Sequence, residues 1–253
     1  MISDPPASAL NYGRGLLYGL GRLDLARPML VQAEAIFRAM GDIWTTTMLM
    51  ADLGMLALLT GDLMEAQRRT AEARANAVSL RDRFLEAETT NNLGEIARLA
   101  GDDQAAEMHY MASLQLCRQL GSQVEVQRRI HNLAYLALHR GDRALACSRF
   151  AESLAGFRAV GQARGQIEAL AGLAAVAASA GTAEQARLAA RLWGAADAHD
   201  GRHRTTAWPA DQAERTRYEP LARATLGDAT YEPAYAAGAV LTLDEAIDEA
   251  LRV

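Results

Sequence analysis

The side chains of this chain best suited to metal ligation or proton transfer near neutral pH are five histidines: His109, His131, His139, His199 and His203. His131 and His139 lie eight residues apart. On one helix that spacing gives roughly a shared face but a separation of about 12 Å along the axis, too far to hold one metal together. Cys117 and Cys147 have no CxxC partner, so they offer no metal framework and fit a reducing compartment. No GxxxxGK[ST], GxSxG or HExxH motif occurs. The carboxylates are scattered at positions that read as solvated helix faces, and no nucleophile, base and orienter are spaced to work together. The chain therefore reads as non-catalytic, with no metal and no cofactor expected.

The elements that must position these residues are helices. Of 253 residues, 53 are Ala and none is Lys, so all 26 basic residues are Arg. Ala is the best helix former and Arg a good one, while aromatics are only 6%. This composition argues for a nearly all-helical protein packed through small side chains, and against an all-β fold or disorder. A formal net charge of −5 gives no basic footprint, so direct nucleic-acid binding is not expected. The opening MISDPPASALNYG has no basic region followed by an apolar one, and the Ala-rich stretch 169–183 is too weakly apolar for a membrane span. A cytoplasmic location without membrane contact is the expectation.

An internal repeat specifies the architecture. Gly21, Gly61, Gly101, Gly141 and Gly181 recur every 40 residues, followed five residues later by Ala26, Ala66, Ala106, Ala146 and Ala186. Leu53, Leu93, Leu133 and Leu173 form a third column. A second break falls mid-period at Met40-Gly41-Asp42, Leu120-Gly121-Ser122 and Val160-Gly161-Gln162, with Leu80-Arg81-Asp82 in the remaining copy. Each period is thus two helices of roughly 17–19 residues, ended by a left-handed Gly and reopened by a cap at Asp62, Asp102, Asp142 or Thr182. Asp62 with Glu65 and Thr182 with Gln185 have capping-box spacing. Turns this short force antiparallel hairpins, and a lone hairpin cannot bury its apolar face, so the hairpins must stack into a curved solenoid. Gly54, Gly94, Ala134 and Ala174 allow close helix approach, and Tyr110 and Phe150 fill the space between hairpins.

The Leu-Gly, Ala and aromatic columns resemble the tetratricopeptide repeat (TPR), in a long 40-residue variety. The phrases NNLGEIARLAGD (91–102) and FRAMGD (37–42) are similar to arrays attached to bacterial signal-transduction ATPases and LuxR-type transcriptional regulators. In the tail, AARLWGAADAHDG (189–201), ERTRYEPLARATLGDATYEPAYAAG (214–238) and LTLDEAIDEAL (241–251) resemble the C-terminal cap of such arrays. The resemblance implies an all-α, right-handed superhelical solenoid of antiparallel hairpins: an array over 1–199 and a loop with capping helices over 200–253. The chain reads either as a whole small protein or as one piece of a larger regulator carrying an ATPase and a DNA-binding domain.

In a TPR-like array the first helix of each hairpin lines a concave groove, here about 43–60, 83–100, 123–140 and 163–180. By that resemblance, counting from the Leu column places Asn91, Asn92, Glu95 and Arg98 in the groove around Leu93, with Arg128, His131, Asn132, Tyr135 and His139 around Leu133. Asp52 and Met55 stand there around Leu53, and Glu168, Ala171 and Ala175 around Leu173. Asn92 and Asn132 occupy positions where peptide-binding TPRs hold an extended backbone, which Asn can both donate to and accept from. Arg128 stands where carboxylate-clamp TPRs place Lys, but Ala51 and Met55 replace the clamp's first-repeat members. The alternative is that these Asn side chains tie neighbouring helices together. Met48, Met50, Met55 and Met64 read as core or as an adaptable apolar patch.

After about Asp200 the period is lost. Gly201 to Pro209 reads as a loop, then helices at 211–226, 229–238 and 242–252, the last opened by Thr242 and Glu245 at capping-box spacing, with Trp208 and Tyr218 packed beneath the loop. Three functions stay open: a groove holding a protein or peptide as the sensor or interaction region of a bacterial regulator, an array sensing a small molecule, and a scaffold self-associating as a homodimer through residues 8–20.

Overall fold

The computed structural model describes residues 5–19, 22–203 and 208–252. They form helices throughout, with no strand among the described residues. Two compact units divide at Leu120 and Gly121.

The first unit contains α1 (Pro5–Arg14), a five-residue π-helical segment (Gly15–Gly19), α2 (Leu23–Ala39), α3 (Ile43–Leu59), α4 (Leu63–Leu80), α5 (Arg83–Leu99) and α6 (Asp103–Leu120). Successive helices pack on one another, most closely α3 with α4 and α5 with α6. Leu16 and Leu17 are buried with Leu30, Leu53 and Leu56, so this part of the segment expected to self-associate is turned into its own core. Met50 and Met55 are buried, Met48 is half-buried, and Met64 projects into solvent.

The second unit contains α7 (Gln123–His139), α8 (Arg143–Ala159), α9 (Ala163–Ala178), α10 (Ala183–His203), α11 (Pro209–Leu226), α12 (Asp228–Ala239) and α13 (Leu243–Ala250). The division expected at 199/200 falls inside α10, which keeps Gly201 helical and runs to His203. The loop reading for 201–203 is thereby corrected; 204–207 lie outside the described residues. The capping helices pack on α9 and α10 and share one core with the last repeats, through Trp193, Tyr218, Tyr231 and Ile247.

One acidic residue does two jobs at most turns. The Asp42 N–H bonds Phe37 O at 3.0 Å, closing α2, while its carboxylate accepts from the Thr45 N–H at 3.0 Å, opening α3. Asp62, Asp82, Asp102 and Asp142 repeat this arrangement. The intervening residue must be left-handed. Gly41, Gly61, Gly101 and Gly141 supply φ between 72° and 80°, and Arg81 takes φ 57° in the copy that has no Gly. Of the capping boxes read by spacing, Glu65 instead directs its carboxylate to Arg68 and Arg69; Thr242 and Glu245 complete both arms at the start of α13.

The small-residue columns work by close approach. A Cβ on Gly94 would lie 2.6 Å from the Tyr110 ring, and Ala26, Ala66, Ala106 and Ala146 are fully buried. The tightest crossing joins α10 to α12, where a Cβ on Gly194 would meet Tyr235 O at 2.0 Å.

Candidate functional site

In the first unit the expected groove positions are largely buried. Asn91, Glu95 and Arg98 are all buried, Asn92 is half-buried, and Arg98 Nη2 lies 3.3 Å from Glu95 Oε2 one turn back on α5. Asp52, on the equivalent face of α3, is buried and paired at 3.0 Å with Arg14 of α1. These charges are taken up by the chain itself, as buried charges must be.

In the second unit the corresponding face of α7 is met by α11. His139 Nε2 donates to Glu214, 2.9 Å from Oε2 and 3.0 Å from Oε1, with both side chains almost fully buried. Two turns earlier, His131 Nε2 lies 3.5 Å from Asp211 Oδ2 and packs edge-on against Tyr135 and Phe150, with ring centroids 5.2 Å apart in each case. Asn132 is buried, and Arg128 is half-buried, with Nη1 3.9 Å from Glu125 Oε2. The eight-residue spacing of the two histidines therefore matches two carboxylates on a helix beyond the repeat.

Where α7, α9, α10 and α11 come together they leave a cavity of about 350 Å³. Its apolar wall, among the described residues, is Tyr135, Ile167, Ala171, Ala175, Trp193 and Ala196. Its polar lining includes Arg164 and Glu168 from α9, Asp197 and Asp200 from α10, and Asp211 and Arg215 from α11. The periodicity of each helix explains this convergence. Trp193, Asp197 and Asp200 stand at i, i+4 and i+7 on α10, and Asp211 and Arg215 at i and i+4 on α11, so each set shares a face.

The charged side chains also anchor the helices. Arg164 bonds Glu168 at 2.8 Å and lies 4.8 Å from the ring centroid of Trp208, the residue preceding α11. Arg215 bridges Asp197 of α10 at 2.5 Å and Glu219 of its own helix at 2.8 Å, and lies 5.9 Å from the Trp193 ring centroid. The Tyr235 hydroxyl donates to the other Asp197 oxygen. Burial and then the Asp197 carboxylate push the Tyr235 phenol above its ordinary range. Burial alone would raise Glu219; hydrogen bonds from Arg215, Tyr231 and Arg223 outweigh it and hold this carboxyl below its ordinary value.

Of the residues read from the sequence as groove-lining, Tyr135, Glu168, Ala171 and Ala175 reach this cavity, while His131 and His139 hold α11 beside it. Trp193, Asp197, Asp200, Asp211 and Arg215 were not singled out, because counting from the Leu column ends with the period. The available signal was the aromatic and acidic face of α10. Among the described residues, no three His, Cys, Asp or Glu side chains gather to hold a metal ion, and no helix is long and apolar enough to cross a membrane.

No protein-family model matches the chain, and no curated protein matches it. Among solved structures, BtubC (BKLC) from P. vanneervenii is similar over 91% of this chain and 91% of that one, with a TM-score of 0.58 and 18% sequence identity. At this identity the likeness bears on fold alone, and it agrees with an all-α helical repeat.

Proposed function

We propose that this chain is a non-catalytic recognition module whose ligand is a small molecule seated in the cavity beneath α11. The observation that carries this reading is the cavity itself: about 350 Å³, largely apolar, with a few converging charged groups. Binding sites for small organic molecules have this size and make-up. The His139–Glu214 bond supports it further, since α11 takes up the α7 face that an extended peptide in a TPR-like groove would need. The resemblance of the repeat and tail to regulator arrays makes a sensor in a bacterial signalling or transcriptional regulator the natural setting.

The test is a thermal-shift screen of small organic molecules against the full chain, because a ligand of the native state must raise its melting temperature. Ala175→Phe fills the cavity wall and is expected to erase every genuine shift. Shifts that survive in this variant, or a diverse library that produces none, would reject the reading.

A second reading, protein binding, is favoured by the first unit. Met40, Ile43, Trp44 and Phe84 are each at least half exposed near the starts of α3 and α5, and Trp44 and Phe84 are equivalent positions of successive repeats. Large exposed apolar side chains gathered in this way are a feature of protein contacts. Replacing Trp44 and Phe84 together by Ser is expected to abolish capture of such a partner while leaving helicity intact; undiminished capture would reject this reading.

A further inference from the structure

We infer that the edge of the first unit bearing Trp44 and Phe84 takes an acidic protein segment, one that sets carboxylates beside large apolar side chains. The inference rests on the second reading above and adds the chemistry of the partner.

Continuity of the apolar surface is the first observation. Trp44 Nε1 donates to Asp82 Oδ2 at 2.8 Å, which lays the indole of α3 beside the turn between α4 and α5. Leu80, just before that turn, and Phe84, just after it, are exposed there. The bond satisfies the indole N–H, so what Trp44 offers to a partner is its apolar ring. The equivalent positions of the next two repeats are Val124 and Arg164, so the aromatic pair belongs to the first unit alone.

Charge is the second observation. The carboxylates of this edge are engaged by the chain itself. Asp42 accepts from the Thr45 N–H and hydroxyl, Asp82 accepts from the Leu85 N–H and the indole, and Glu86 lies 3.4 Å from Arg83. The helix N-termini offset the charge of the two capping Asp. The guanidiniums of Arg81 and Arg118 are not engaged. Arg81 stands in the α4–α5 turn, and Arg118 precedes Gln119, which accepts from Arg83 Nη2 at 2.9 Å. Both are exposed, and neither has a hydrogen bond or ion pair among the described residues. The uncommitted charge beside the aromatic pair is therefore positive. Aromatic rings and Arg side by side are what protein contacts favour. A phosphate chain would bring closely spaced charges against Asp42 and Asp82, whereas a protein segment can place its carboxylates only where the arginines stand.

The test selects a random peptide library, displayed on phage, against the full chain and measures the enriched peptides by titration calorimetry. They are expected to carry Asp or Glu beside Trp, Phe, Leu or Ile, and to bind more weakly as salt rises. Replacing Trp44 and Phe84 together by Ser is expected to abolish binding. Arg81→Gly and Arg118→Gln are each expected to weaken it by about two- to fivefold, the worth of an exposed ion pair. Glycine suits the left-handed backbone at Arg81, so that variant keeps its fold. Circular dichroism checks the double variant, and Phe84→Ser alone gives the same readout if it unfolds. Peptides that need Trp44 and Phe84 but carry no excess of acid, or ignore both arginine variants, would overturn the acidic partner and leave protein binding at this edge. A selection that enriches no peptide dependent on Trp44 and Phe84 would overturn both readings. A single-stranded oligonucleotide that binds this edge more tightly than every selected peptide would overturn the inference as well.

Discussion

His139 of α7 and Glu214 of α11 meet at 2.9 Å, with both side chains almost fully buried, although 75 residues separate them in the chain. The bond joins a residue of the repeat to one beyond it, and together with His131 and Asp211 it sets where α11 lies on α7. The position of α11 in turn supplies one wall of the cavity.

Glu214→Ala removes the carboxylate that accepts from the buried His139 imidazole. Removing one partner of a buried hydrogen bond costs about 1–3 kcal/mol. Urea unfolding of the full chain should show a loss of that size, and His139→Ala combined with Glu214→Ala should cost clearly less than the two single losses added. Strict additivity would show that the two side chains do not support each other.

At the α10–α12 crossing, Gly194→Ala drives a methyl group into the backbone carbonyl of Tyr235, which would lie 2.0 Å away. Since backbone cannot swing aside, the two helices must separate, at about 3 kcal/mol or more. Gly156→Ala on α8 is the contrasting case. There the obstacle is the Gln127 side chain, 2.2 Å from the added Cβ at its nearest atom, which can rotate away while α8 gains a better helix former. Its cost should stay under about 1 kcal/mol by the same denaturation measurement. Equal losses in the two variants would contradict the close approach at Gly194.

Glu219 accepts from Arg215 at 2.8 Å, Tyr231 at 3.0 Å and Arg223 at 3.1 Å, and its carboxyl is held below the ordinary range in the folded chain. A depressed carboxyl stabilises the fold fully above its unfolded value, near pH 4.3, and loses that contribution as pH falls through the folded value. Glu219→Gln should therefore cost about 1 kcal/mol near pH 7 and progressively less below about pH 4. A deficit that stays constant into acid would mean that the charge of Glu219 contributes nothing.

Much of this molecule is legible in its sequence because helix ends and close contacts are encoded locally. Gly61 must turn left-handed, Asp62 must cap, and Ala66 must sit where another helix passes; each requirement follows from residue type and spacing. Arg81 shows the strength of the register, because the chain adopts φ 57° there without the glycine that makes it cheap. The helices of the tail are legible for the same reason: α13 begins at the Thr242 and Glu245 capping box.

The destination of α11 is not legible in this way. Its face of Asp211, Glu214 and Arg215 reads as a solvated surface, and nothing in its own turns says that His131, His139 and Asp197 will meet it. Periodicity determined the helices, their order and their small-residue contacts, because those depend on neighbours within about one turn or on the next hairpin. Only the tertiary structure decided that the chain covers part of its own repeat face and encloses a cavity there, because that outcome depends on charge pairs formed between residues far apart in sequence, whose partners no local pattern identifies.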